Sequence, residues 1–301
     1  MNDRRTPARH STSGLALGLL AYALWGVLPL YFKAVAAVAP FDIVAHRVLW
    51  SLPFLAVLIG LSRGWPKMRA CVADKHTLGM LFVTATLIAA NWLLYVYAVN
   101  NGHMLAASFG YYLNPLANVL LGRFILKERL NRLQWTAVLI AGAGISVLAA
   151  GAMGQLWISL VLCATFATYG LLRKVVPADA VTGLAIETTI LLPAALLWLA
   201  WRHSIGVQVM GATPGLTGLL LLAGVVSMTP LLLFTAAAKR LPYSTLGMLQ
   251  FIAPTLQFVI AIIYGEPLRP AHFIAFPAIW IALGLYVSAM LRAPRLPQPP
   301  E

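Results

Sequence analysis

The sequence predicts an all-α polytopic membrane protein of ten transmembrane helices, arranged as two inverted five-helix repeats. Three observations predict it. First, the 301 residues are 61% hydrophobic and only 10% charged, with a mean hydropathy of +0.85, whereas a soluble domain is about half apolar and about a quarter charged. Second, no polar stretch exceeds about fifteen residues, so no sizeable soluble domain fits between the apolar runs. Third, the second half of the chain echoes the first in a fixed order.

A helix of about 20 apolar residues crosses the ~30 Å hydrocarbon core of a bilayer. The first run of that length, 14–32, follows a basic tail (1–13, MNDRRTPARHSTS). It lacks a small-residue cleavage pattern and is read as a retained span, not a signal peptide. The second, 43–62, carries "IVAHRVLWSLPF", with His46 and Arg47 set among apolar residues. The third and fourth, 77–98 and 105–126, flank the polar "NNGHM" turn. The fifth and sixth, 133–150 and 155–172, are divided only by "GAMG". The seventh, 181–201, holds Glu187; the eighth, ninth and tenth are 214–238, 243–264 and 271–291.

Loop charges set the orientation. Arg4, Arg5, Arg9, Arg63, Lys67, Arg69, Lys75, Lys127, Arg129, Arg132, Arg173, Lys174, Lys239, Arg240, Arg292 and Arg295 fall on one side, sixteen in all. Lys33, Arg202 and Arg269 fall on the other. Positive loops stay in the cytoplasm, which places both termini inside a bacterial inner membrane. The net charge of +13 therefore reflects membrane topology. No basic face interleaved with stackable aromatics indicates nucleic acid. Cys71 and Cys163 form no CxxC pair, so neither a metal site nor a disulfide framework is expected. No cofactor is expected either.

The repeat divides the chain into a first unit at 14–150 and a second at 151–291, with cytoplasmic tails at 1–13 and 292–301. "LNPLANVLLGRFILKERL" (113–130) matches "IAPTLQFVIAIIYGEPL" (252–268), with Pro115 against Pro254 and Glu128 against Glu266. Pro53 lies against Pro193, Trp25-Gly26 against Tyr169-Gly170, and Gly142/Ser146 against Gly284/Ser288, at offsets of 138 to 144 residues. An odd number of spans per unit inserts the two units in opposite directions. Inverted repeats with a site at their interface are a common transporter design.

Several segments carry a family resemblance: "AYALWGVLPLYFK" (21–33), "AHRVLWS" (45–51), "NWLLYVYAVNNGHMLAASFGYYLNPLANVLLG" (91–122), "YGLLRK" (169–174), "IETTILLP" (186–193), "FTAAAKRLPYSTLGMLQFIAPT" (234–255) and "YGEPL" (264–268). On these the chain resembles the RarD-type branch of the EamA family, within the drug/metabolite transporter superfamily. The resemblance implies an EamA-like basket of ten helices around a central cavity lined mainly by spans 1–4 and 6–9.

Of the eight acids, Glu187 alone lies well inside a span, and Arg47 is its basic counterpart. A charge at the centre of a helix costs ~2.5–3.5 kcal/mol on insertion scales, so such residues face bundle interiors or wet cavities. Arg47 has a second reading, snorkelling outward beside Asp42. Each charge sits six residues before its matched proline. If those prolines sit near the midplane, the two charges are ~18 Å apart along the axis, beyond the ~10 Å that both side chains span. Separate partners are expected: Asn91, Tyr111 and Asn114 near Arg47 on the outer side, Tyr169 and Gln250 near Glu187 on the inner side.

Other residues carry two readings each. Tyr169 fits the cavity or an interfacial belt, and Asn91 and Asn114 fit the cavity or hydrogen-bonded helix contacts. Trp25 and Trp92 fit a substrate cavity or the packed core. His46 fits a proton relay or a hydrogen-bonded packing role. An acid carried into a low-dielectric site holds its proton more tightly, so Glu187 is the candidate for coupling to protons. The expected function is secondary-active transport of a small amphipathic metabolite or drug-like molecule. The chain has no Walker A stretch, HExxH or GxSxG, which disfavours an ATP-driven pump or an enzyme. A non-transporting sensor or assembly subunit is the alternative.

Overall fold

The computed structural model describes residues 12–149, 153–264 and 270–292. Among these it forms twelve α-helices, a short 3₁₀ turn and no strand. The helices are α1 (Thr12–Ala34), α2 (Pro40–Leu61), α3 (Trp65–Ala73), α4 (Lys75–Asn100), α5 (Met104–Phe124), α6 (Arg132–Ala149), α7 (Leu156–Val175), α8 (Ala180–Ser204), α9 (Pro214–Ala238), α10 (Tyr243–Leu249), α11 (Ile252–Ile263) and α12 (Pro270–Leu291). Glu266 and Arg269, and with them the Glu128/Glu266 match, lie outside the described residues, as do nearly all of both tails and the first half of "GAMG".

Local chemistry sets the helix ends. Proline at the first turn needs no backbone N–H partner, and Pro40 and Pro214 open α2 and α9. Asp179 caps α8 by accepting from the Thr182 N–H at 2.8 Å, a standard role for a short acidic side chain. Asn131 and Gln134 exchange side-chain-to-backbone bonds of 2.9 Å at the start of α6. Arg63 and Lys127 turn the chain with φ of 51° and 57° at the links after α2 and α5. Glu128 reaches across the bundle to cap α10, accepting from Tyr243 N–H at 2.5 Å and from Ser244 N–H and Oγ at 2.9 and 2.6 Å.

Among the described residues, eight helices are long and apolar enough to cross a membrane: α1, α2, α4, α6, α7, α8, α9 and α12. Two of the ten expected spans fall outside this set. α5 has 21 residues but includes Ser108, Asn114, Asn118 and Arg123, which dilute its apolar character. The expected ninth span, 243–264, is broken into α10 and α11. Pro254 has no N–H to give the Gln250 carbonyl, which instead accepts from Ala253 N–H at 3.2 Å. Gln250 and Phe251 likewise donate only three residues back, to Gly247 and Met248. The expected 63–76 connection also contains the short helix α3.

The bundle has two chemically distinct ends. One gathers α3, Lys174, Asp179 and Lys239. There Lys174 Nζ donates to the Ala238 and Leu241 carbonyls at 2.7 and 2.5 Å, Lys239 Nζ to the Val176 carbonyl at 2.7 Å, and Lys67 stands 4.0 Å from Asp179. At the other, Arg202 grips the Asp42 carboxylate through Nε and Nη2 at 3.0–3.3 Å, and Trp198 Nε1 donates to it at 2.8 Å. Lys33 lies over the Tyr264 ring there, 3.5 Å from its centroid.

Helix neighbours follow a pattern. α1 packs antiparallel to α9, with Tyr31 donating to the Leu219 carbonyl and Gly14 lying against Arg240. α4 packs antiparallel to α7, through Asn91 and Leu162 at one level and Leu81 and Val176 at another. α1 also runs beside α11, and α5 beside α7, each pair parallel. α2 meets α8 and α9; α4 meets α8; α5 meets α10; α6 meets α12. Exchanging α1, α2, α4, α5 and α6 for α7, α8, α9, α10–α11 and α12 maps this set of neighbours onto itself.

Candidate functional site

A small cavity lies between α2, α4, α8 and α9, lined by Val48, Trp92, Glu187, Thr188, Leu191 and Met228 among others. Its volume is about 10 Å³, room for roughly one water. The bundle is therefore closed around it.

Glu187 forms one wall. It is 2% exposed, on the buried face of α8. Thr84 Oγ1 on α4 donates to Oε1 at 2.5 Å, and Tyr169 OH on α7 donates to Oε2 at 3.3 Å. Arg173, also on α7, places Nε 3.5 Å from Oε1. This makes a buried ion pair, although the alignment falls short of a hydrogen bond and Nη1 has no hydrogen-bond partner among the described residues. Arg173 Nη2 donates to the Asp179 and Ala180 carbonyls at 3.4 and 3.2 Å. Gly183 makes room for this guanidinium, since a Cβ there would overlap its nitrogens.

Arg173 is a correction to the sequence reading, which counts it among the cytoplasmic loop cations. It is fully buried at the end of α7. Successive helical residues point about 100° apart. That offset turns Arg173 inward to Glu187 while Lys174 crosses to the end of α9.

Arg47 approaches the cavity from the other side through Trp92. Its guanidinium stands 4.3 Å from the Trp92 ring centroid, a cation–π contact. Its Nε donates to Ser227 Oγ on α9 at 2.7 Å. Tyr111, Tyr31 and Tyr95 surround it within electrostatic range. The side chain is half-buried. Gly224, one turn before Ser227, allows this approach, because a Cβ there would overlap the Trp50–Ser51 backbone of α2. No ion pair joins Arg47 to Glu187 among the described residues.

The remaining expected residues distribute as follows. Tyr111 OH donates to Asn91 Oδ1 at 3.2 Å, but the Asn91 amide group goes to α7, donating to the Leu162 carbonyl and Thr165 Oγ1, each at 2.9 Å. Asn114 is fully buried, and both ends of its amide lack partners among the described residues. Gln250, expected near Glu187, instead accepts from Asn118 Nδ2 at 3.0 Å beside the α10–α11 break. Trp25 sits in an aromatic cluster, its ring 5.5–5.8 Å from those of Tyr22, Phe166 and Phe234, and does not line the cavity. Both His46 ring nitrogens are engaged. Trp50 Nε1 donates to Nδ1 at 3.1 Å, so the proton sits on Nε2, which donates to the Val209 carbonyl at 2.7 Å. No nitrogen is left over for a substrate.

The EamA-like transporter family matches residues 12–150. The chain is 43% identical to the Escherichia coli (strain K12) protein named Protein RarD, over 93% of this chain and 95% of that one. It is 44% identical to a Vibrio cholerae serotype O1 protein named Uncharacterized transporter, over 93% of each. A Pseudomonas aeruginosa protein named Chloramphenicol-sensitive protein RarD is 34% identical, over 91% of this chain and 93% of that one. A chain of known crystal structure superposes with a TM-score of 0.70 at 20% identity, over 93% of this chain and 99% of that one, and shares the fold. With relatives this similar along nearly its whole length, the chain belongs to the EamA family of drug/metabolite transporters as a RarD-type, multi-pass membrane protein.

Proposed function

We propose that this transporter is secondary-active and carries a small amphipathic metabolite or drug-like molecule with an anionic group. It works by alternating access, with Glu187 coupling movement to protons. The observation that carries the reading is the position of Glu187. A nearly fully buried carboxylate lines the cavity and is held by α4, α7 and α8 together. A change in its charge alters the packing of helices from both halves of the chain. Arg47, with its charge above Trp92, supplies a partner for a carboxylate or similar group.

The exchange pattern among helix neighbours supports ten crossings in two inverted units of five, with α10–α11 as one interrupted crossing; the bias of loop cations supports cytoplasmic termini. Two units of like sequence in opposite orientation have two packings of similar energy, each open to one side.

The test is transport by protein reconstituted in liposomes, measured across pH. Glu187→Gln is expected to abolish the pH dependence while counterflow at one pH persists. An unchanged pH profile removes the coupling role. Absence of counterflow by the unaltered protein, across a panel of anionic amphipathic compounds, favours the sensor or assembly-subunit reading.

A further inference from the structure

A second, larger groove opens on the outside of the bundle, far from Glu187 in character. It holds about 340 Å³ and is lined by Lys75, His76, Gly79, Met80 and Val83 of α4 and by Leu172 of α7. The basic residues stand at the first turn of α4, at the end of the bundle that carries α3. The apolar floor follows over the next two turns, so it runs ~12 Å from Lys75 to Val83 along the helix. Gly79 faces open space in the floor, where a Cβ would meet nothing within 4 Å.

The charges at the mouth are uneven. Lys75 and His76 are exposed, and their side chains make no hydrogen bond or ion pair among the described residues. Asp74 is beside them, but its carboxylate caps α4, accepting from Thr77 Oγ1 at 2.5 Å and from the Thr77 and His76 N–H groups at 3.2 Å. The Thr77 hydroxyl and backbone bonds hold Asp74 below the usual carboxylate range, so it stays negative, with its oxygens turned to the start of α4 and not to Lys75. Arg69, exposed on the adjoining α3, adds positive charge, whereas Lys67 stands by Asp179 at 4.0 Å. Lys174 and Lys239 turn their ammonium groups to backbone carbonyls and so offer the groove no free donor.

A basic mouth at the membrane boundary, continued by an apolar channel along a spanning helix, has the charge and polarity sequence of an anionic phospholipid. We infer that this groove binds an anionic glycerophospholipid, with the phosphate headgroup at Lys75 and His76 and the start of one acyl chain over Gly79, Met80 and Val83. A zwitterionic lipid fits the floor but gains less at the mouth. Basic pockets between membrane helices recognise anionic headgroups through this combination of charge and shape.

Native mass spectrometry of the purified protein in detergent tests it, with phosphatidylglycerol and phosphatidylcholine of equal chain length as probes. Phosphatidylglycerol is expected to be retained preferentially. Lys75→Gln should weaken its retention about fivefold, and Gly79→Leu, which fills the floor and leaves the charge unchanged, should weaken it at least as much. Lys127→Gln/Arg129→Gln, at another connection, should have no effect. Equal retention of the two lipids overturns the inference. So does indifference to Gly79→Leu, or an equal loss in the Lys127/Arg129 variant, since either means attraction to surface charge without a built site.

Discussion

Replacing Arg173 by Met should be among the more damaging single changes in this protein. The guanidinium is fully buried, Glu187 is 2% exposed, and Nε lies 3.5 Å from Oε1. At that distance and an effective dielectric of about 20, the attraction is about 5 kcal/mol. Removing one member of a buried pair leaves the other charge uncompensated and costs about 3–5 kcal/mol. Arg173→Met is therefore expected to destabilise the protein by that amount. Glu187→Gln should cost less, because the Asp179 and Ala180 carbonyls still accept from Arg173 and a glutamine oxygen still accepts from Thr84. The double variant Arg173→Met/Glu187→Met should be far more stable than the two losses summed, as no charge remains in the site. The assay is equilibrium unfolding in mixed detergent micelles, run as a double-mutant cycle. A coupling energy indistinguishable from zero would refute the reasoning, because the two side chains would then not be holding each other.

Other expectations follow from the same geometry. Arg47→Ala removes one charge-assisted contact worth about 1.5–3 kcal/mol, so binding of an anionic substrate should weaken by roughly 10–100-fold while a cationic analogue is little affected. Equal losses, measured by equilibrium binding, would count against an anion site. Lys239 lies just past α9, and burial, with Arg173 nearby, lowers its pKa from 10.5 to about 8. Between pH 8 and 10.5 the unfolded chain then holds more protons at this position than the folded one, so stability contributed here rises with pH through that window. The thermal midpoint should climb over the window, and Lys239→Met should flatten the climb; an identical slope in the variant would remove Lys239 as its source.

Much of this fold was legible in the sequence because membranes impose a simple rule. A run long and apolar enough to cross must be helical, since unpaired backbone groups are costly in lipid. That rule found every long helix. It did not find the α10–α11 break, since residues on both sides are apolar. The available sign was Pro254, used in the sequence to align the two repeats, though its missing N–H accounts for the shift to three-residue hydrogen bonds at Gln250. The candidate site was legible only in part. Glu187 stood out as an isolated acid, but its cation did not, because an arginine at a helix end looks like a loop charge. The requirement that a buried carboxylate have a partner, applied to the neighbouring helix, points to Arg173. Asn91 and Gln250 were unreadable for another reason: their roles depend on which helix lies opposite, and sequence spacing carries no record of it.

At Gly224 the main chains of α2 and α9 touch directly, with no side chain between them. Intervening side chains would absorb a small displacement by changing rotamer, whereas abutting peptide planes cannot. Two helices drawn from opposite halves of the polypeptide are thereby welded into one stiff strut. A rearrangement of the bundle is then expected to shear along seams filled by side chains, such as the one α4 and α8 share at Thr84 and Glu187, and to carry this strut along whole.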